Sequence, residues 1–319
     1  MGLRAGVAGY GLAGSVFHAP LIDAVDGLEL AAVMTRSPER AEQARAAYPG
    51  VAVVEALDAL LEQVDVLVVA SPNASHAEIA LTGIERGKFV VIDKPMAVTA
   101  ADARRVAETG GDHVTVFHNR RWDGDFLTVQ RLVRAGELGP ITRFESRFER
   151  FRPQIKEGWR EGGDPAAGGG VLLDLGPHLV DQALQLFGPP ASVYAEVRTR
   201  RNGAKVDDDS FLALTHAGGE ISHLWMSAIA PLHGPRFRVS GMTAGFACDG
   251  LDPQEDQLRD GMRPGDPGFG EAEGLERGNY VAFYEGVRDW ARGDAAAPVD
   301  PWDGVRVLEV LEQARSQSV

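Results

Sequence analysis

Through residue 118 the chain alternates short apolar runs with stretches of helical periodicity. Residues 3–8 form an apolar run that ends in glycines, and a helical stretch follows over about 15–25. LELAAVM at 28–34 predicts a second strand, and 38–48 a polar-faced helix with proline in its first turn. A short strand at 52–54, a helix at 57–62 and the continuous apolar strand 66–70 come next. Helix 76–86, strand 89–92, helix 100–109 and strand 113–118 complete the series. Apolar strands that do not alternate, separated by helices, are what a parallel sheet covered on both faces requires. The prediction for residues 1–120 is a doubly wound α/β unit built on a parallel sheet.

The pattern then changes. A helix is predicted at 126–135, and ITRFESRFERF at 141–151 alternates like a half-exposed strand. A glycine-rich loop precedes a helix at 172–187, and strand-like runs follow at 193–199, 211–216, 221–229, 236–240 and 245–248. Successive strands without helices between them imply a mostly antiparallel sheet with one open face. Residues 259–274 are rich in Gly, Pro and acid and read as a mobile loop. Helices at 280–292 and 304–313 close the chain, and the last can pack back on the first unit. Residues 121–319 are thus expected to form a second, α+β unit.

Composition narrows the partners. Of 319 residues 44% are hydrophobic and 24% charged, which suits a globular protein and excludes collagen-like, coiled-coil and disordered classes. Lys+Arg 32 against Asp+Glu 46 leaves a net charge of -14, so neither nucleic acid nor an anionic membrane is expected as partner. One cysteine, Cys248, rules out a disulfide framework, and no His/Cys/carboxylate spacing asks for a metal. No signal peptide is evident and the apolar runs are too short to span a bilayer, so a cytoplasmic protein is expected. Lysine occurs only at Lys88, Lys94, Lys156 and Lys205, and the Ala, Arg and Gly bias suggests a GC-rich bacterial genome. The 38 glycines are in excess, either for turns or for close approach of backbone to a ligand.

Three motifs carry chemistry. Gly9, Gly11, Leu12, Ala13 and Gly14 lie in GYGLAG, which fits a dinucleotide fingerprint through its context: it follows the first strand and opens a helix. At the end of the second strand a carboxylate would suit the ribose 2′-OH of NAD. Here stand Thr35, Arg36 and Ser37, with Arg40 one turn on; guanidinium and hydroxyl groups suit a 2′-phosphate, which favours NADP and leaves NAD possible. A solvated loop role is the alternative for Arg36. Asp93, Lys94 and Pro95 follow the strand 89–92 at the carboxyl edge of the sheet, where a lysine can hydrogen-bond a reacting hydroxyl and lower its pKa. The third motif is GGGVLLDLGPH at 168–178. Asp174 and His178 share a helical face, so the imidazole can take a hydroxyl proton while the carboxylate orients it. Read alone, this segment equally suits a capping Asp and a packing His.

Together, GYGLAG, the DKP turn and GGGxxxDxGxH resemble the Gfo/Idh/MocA oxidoreductase family over nearly the whole chain. SVFHAP at 15–20 and HNRRWDGDF at 118–126 resemble its NADP-dependent scyllo-inositol dehydrogenase branch. The resemblance implies a Rossmann domain, a second domain whose open sheet mediates assembly into a homo-oligomer (dimer or tetramer), and hydride transfer between nicotinamide and a cyclic polyol or sugar. It also places Lys94, Asp174 and His178 around the substrate. Asp93 departs from the usual glutamate, and the chain is short around 265–278. Ser71, Pro72, Asn73 and His76, at the carboxyl edge after strand 66–70, are expected to line the cofactor or to cap a helix. Asn119, Arg120, Arg121 and Trp122 are candidates for nicotinamide or polyol hydroxyls, with Arg121 and Trp122 assigned to the cofactor and Asn119 to the substrate. Arg152, Gln154, Trp159 and Arg160 offer donors and an aromatic wall for a sugar, or solvated loop roles. His113, His216, His223 and His233 read as structural. Two other activities suit the same motifs: redox-assisted glycoside hydrolysis with bound NAD, and a non-catalytic NADP-binding regulator.

Overall fold

The computed structural model describes residues 2–156, 158, 161 and 168–317. Its first layer is a six-stranded parallel sheet of β1 (Leu3–Ala8), β2 (Leu28–Met34), β3 (Ala52–Val54), β4 (Val66–Val69), β5 (Phe89–Asp93) and β6 (Val114–Phe117). The order is β3-β2-β1-β4-β5-β6, so the chain reverses its winding between β1 and β4, and ligands of such sheets bind at that crevice. β4 and β6 are buried throughout, which is why they read as unbroken apolar runs. Helices α1 (Ala19–Asp23), α2 (Pro38–Ala47), α3 (Leu57–Leu61), α4 (His76–Glu85) and α5 (Ala100–Gly110) supply the connections. Ser37 and Thr99 cap α2 and α5 by accepting from the N–H of Arg40 and Asp102. The first helix departs from expectation: a wider π-type turn over Ala13–His18 precedes α1, with the Ala19 N–H donating to Gly14 O.

The second layer begins with α6 (Gly124–Arg134) and β7 (Ile141–Glu149). Then come α7 (Val171–Phe187), β8 (Pro190–Arg198), β9 (Asp209–His216), β10 (Ile221–Ser227), β11 (Phe237–Gly241) and β12 (Gly245–Cys248). Their order is β12-β11-β7-β10-β9-β8, and the sheet is mostly antiparallel as expected, except that β7 lies parallel to β10. That exception follows from α7, which carries the chain away between β7 and β8 and lets β7 enter the middle of the sheet. Phe144 and Phe237 are wholly buried beneath it and pack together, each worth about 1.5–3 kcal/mol of transfer free energy.

The segment expected to be a mobile loop is instead tied down. It follows a short helix, α8 (Gln254–Arg259), buries Phe269, and satisfies the Gly270 N–H with Gln257 Oε1. Two helices end the described chain, α9 (Val281–Arg292) and α10 (Pro301–Ser316). α10 packs against both α5 and α7, so it touches both layers; Glu312 accepts from the Ala100 N–H at 2.8 Å. Among the described residues, no helix is long and apolar enough to cross a membrane.

Candidate active site

The loops after β1, β5 and β6 share one edge of the first sheet, and the start of α7 and the end of β7 face that edge. A cavity of about 690 Å³ lies between them, lined by Leu12, Ala13, Lys94, Asn119, Asp174 and His178 among others. Three sequence motifs therefore meet in one space.

The glycine turn fits a dinucleotide. Gly9 has φ +107°, and a Cβ there would stand 2.7 Å from Ala70 O; one on Gly14 would stand 2.1 Å from Gly9 O. Those two glycines serve the turn and its packing. A Cβ on Gly11 would meet nothing closer than Arg40 Nη1 at 3.9 Å, so backbone is left open to a phosphate at the start of a helix, where the first N–H groups lack intrahelical acceptors. Thr35 and Arg36 follow the carboxyl end of β2 and Arg40 lies in the first turn of α2, with both arginines exposed and Thr35 Oγ1 accepting from the Ser37 N–H.

Lys94 follows β5, joined to Pro95 by a cis peptide bond. Its Nζ donates to Asp174 O at 2.8 Å and lies 3.4 Å from Asp174 Oδ1. Asp93 accepts from the Lys94 N–H at 2.9 Å. Burial alone would raise the Asp93 pKa, but the facing His18 and the Lys94 charge hold it below the ordinary value. His18 in turn has Nδ1 2.6 Å from the Tyr284 hydroxyl and Nε2 3.8 Å from Asp93 Oδ1.

His178 sits one turn beyond Asp174 on α7, edge-on to Phe148, with a buried Nδ1 that has no hydrogen-bond partner among the described residues. Burial, reinforced by the charges of Lys94 and Arg120, pushes its pKa well below that of a free histidine. A neutral imidazole beside an ammonium group can accept a proton from a hydroxyl placed between them. The start of α7 is shaped by Asp207, whose carboxylate accepts from the Leu172 N–H at 2.6 Å and whose carbonyl accepts from Val171.

The other candidates divide between the cavity and the loops around it. Ser71, Pro72, Asn73 and His76 knit loops together: Asn73 Nδ2 donates to Gly168 O at 3.2 Å, and the buried His76 ring lies 2.9 Å from Pro95 O and 2.8 Å from Ser71 O. Residues 119–122 form a tight turn whose side chains diverge. Asn119 and Arg120 reach the cavity, whereas Arg121 forks onto Asp181 and reaches Asp303, and Trp122 packs edge-on against Phe283. Arg152 lines the cavity; Trp159 and Arg160 lie outside the described residues. His113 stacks on Phe89, and His216 lies within hydrogen-bond distance of Gly188 O and Ser222 Oγ. Arg150, Phe148 and Asp207 also line the cavity and were not singled out by any motif. For Arg150 the signal was present: it continues the inward parity of Phe144, Ser146 and Phe148.

This is the arrangement of a nucleotide-dependent oxidoreductase with a two-layer architecture. Residues 3–118 match the model of an oxidoreductase family with an NAD-binding Rossmann fold, and 126–247 match the GFO/IDH/MocA C-terminal domain. The chain belongs to that family and is an NAD(P)-dependent oxidoreductase. It is 38% identical to the uncharacterized oxidoreductase YdgJ of Escherichia coli, over 97% of this chain and 94% of that one. It is 34% identical to the scyllo-inositol 2-dehydrogenase (NADP(+)) IolW of Bacillus subtilis, over 99% and 94%. Among solved structures, the oxidoreductase yvaA of Bacillus subtilis superposes with a TM-score of 0.91 at 32% identity, covering 99% of this chain and 97% of that one.

Proposed function

We propose that the protein transfers hydride between NADP and a secondary alcohol or ketone of a cyclic polyol or sugar. The observation that carries this reading is the convergence of Lys94, Asp174 and His178 on the cavity that the glycine turn also enters. When bound, the nicotinamide supplies the hydride acceptor or donor. In the oxidation direction the neutral His178 takes the hydroxyl proton, and the Lys94 ammonium stabilises the developing alkoxide. Asp174 holds that ammonium in place through its carbonyl and carboxylate. Arg36 and Arg40, with Thr35, receive the 2′-phosphate. The name of the relative IolW, an NADP-dependent inositol dehydrogenase, supports both cofactor and substrate class.

Lys94→Ala and His178→Ala are each expected to lower kcat by about 100- to 10,000-fold while cofactor still binds, as read by NADPH fluorescence titration. Turnover near the wild-type rate would overturn these roles. For the cofactor, NADPH is expected to bind more tightly than NADH, and Arg36→Ala to reduce that preference by about tenfold. Equal affinities in the wild type would refute the assignment.

A further inference from the structure

Several arginines line the cavity, and most of them already hold a carboxylate. Arg120 pairs with Glu255 and also contacts Asp123, Arg201 pairs with Asp208 and Glu161, and Arg259 with Glu255. Arg150 and Arg152 line the same space, yet no side chain among the described residues pairs with either. The Nε of Arg150 is also cut off from water and without a hydrogen-bond partner among the described residues. Burying a guanidinium N–H without an acceptor is costly. Burial and the adjacent Arg152 together push the Arg150 pKa down, with Asp174 and Glu161 acting the other way.

These side chains are not loosely placed. Backbone pairing continues past the end of β7: Arg150 N–H donates to Ser227 O, Ala230 N–H to Arg150 O, and Arg152 N–H to Ala228 O. The strand's alternation therefore persists, and the two arginines take the inward parity at the point where the core opens into the cavity. Asp174 and His178 line the same cavity. In a chain with 46 acidic residues against 32 basic ones, carboxylates to neutralise two arginines are not scarce.

We infer that Arg150 and Arg152 bind an anionic group, a carboxylate or phosphate, carried by the substrate. The substrate class then becomes an acid-bearing polyol or sugar, such as a sugar acid or sugar phosphate, instead of a neutral one. This rests on the hydride-transfer reading above. Guanidinium groups suit such oxyanions because they offer paired donors in a plane. The same chemistry is offered by the pyrophosphate of the cofactor, so the test separates the two sources.

The test uses the protein saturated with NADP+ and two matched pairs, glucuronate against glucose and glucose 6-phosphate against glucose, with binding measured by calorimetry. At least one acid is expected to bind about tenfold to a hundredfold more tightly than its neutral partner. That advantage should shrink with added salt, vanish in Arg150→Gln and Arg152→Gln, and survive in part in Arg150→Lys. No preference for the acid in either pair overturns the inference, as does a preference that persists in both Gln variants. Loss of NADP+ affinity in the Gln variants with the acid preference intact assigns the arginines to the cofactor, and that also overturns it. Matching circular dichroism and melting temperatures separate these results from loss of fold, and Arg150→Lys serves where a Gln variant does not fold. Arginine-dependent acid binding without any NADPH formation would uphold the anion site and sink the hydride-transfer reading.

Discussion

His178 shows how environment sets the behaviour of one residue. Burial and the Lys94 charge hold its pKa well below the ordinary histidine value, so it stays unprotonated through mildly acidic pH. The acid limb of the kcat/KM profile for alcohol oxidation is therefore expected below pH 6.5, and a limb at or above 6.5 would contradict its part as proton acceptor. Stability carries the same sign. Below pH 6.5 the unfolded chain protonates this histidine and the native one does not, so acid costs stability. Asp123 works in the opposite sense: burial, against the pull of Arg120, lifts its pKa to about 8, so its native form keeps a proton that the unfolded form releases. The histidine's share is read by difference, and His178→Gln is expected to lose less melting temperature between pH 7 and pH 5 than the wild type. Lys94, Asp174 and His178 were legible in the sequence because each motif sits at a predictable sheet edge or helix start. Which of the neighbouring candidates Arg120 and Arg121 lines the cavity and which pairs with Asp181 and Asp303 was not legible, since a tight turn redirects successive side chains in a way that composition does not reveal.

Among the elements, α7 matters most for the site, because Asp174 and His178 both ride on it. Its entry depends on Gly170, which has φ +101° and whose added Cβ would stand 2.2 Å from Asp207 Oδ1. Gly170→Ala is expected to cost more than about 2 kcal/mol and to lower kcat as well, since the cap that Asp207 supplies must shift. Gly219 offers the matched comparison: φ is +95° but nothing lies within 4 Å of an added Cβ. Gly219→Ala should cost about 1 kcal/mol and leave kcat unchanged. Urea melts with initial rates on both variants decide the point; equal stability losses would show that contact with Asp207 is unimportant. The triple glycine was readable as a place of close approach. Its partner was not, because Asp207 lies far along the chain and only tertiary folding brings it there.

At the scale of the whole molecule, no helix among the described residues covers one face of the second sheet. Phe211, His223 and Trp225 cluster on it, Arg147 lies 3.8 Å over the Trp225 ring, and Tyr194 is 56% exposed. That face supports the expectation of a homo-oligomer. Light scattering should give the mass of a dimer or tetramer, and Trp225→Glu with Tyr194→Glu should drive it to monomer; a monomeric wild type would contradict the expectation. The winding of the first sheet was legible because each local strand–helix repeat dictates the next. The parallel entry of β7 beside β10 was not, since local alternation says nothing about which distant strand becomes a neighbour. Synthesis also runs ahead of that pairing. The strands of the first sheet are complete at Phe117, but β7 ends at Glu149 and its neighbours β10 and β11 are finished only at Ser227 and Gly241. A nascent chain that has not reached Ile221 thus carries a finished first sheet beside a strand whose Phe144 and Phe148 have nowhere to go, the kind of intermediate that chaperones shield on the ribosome.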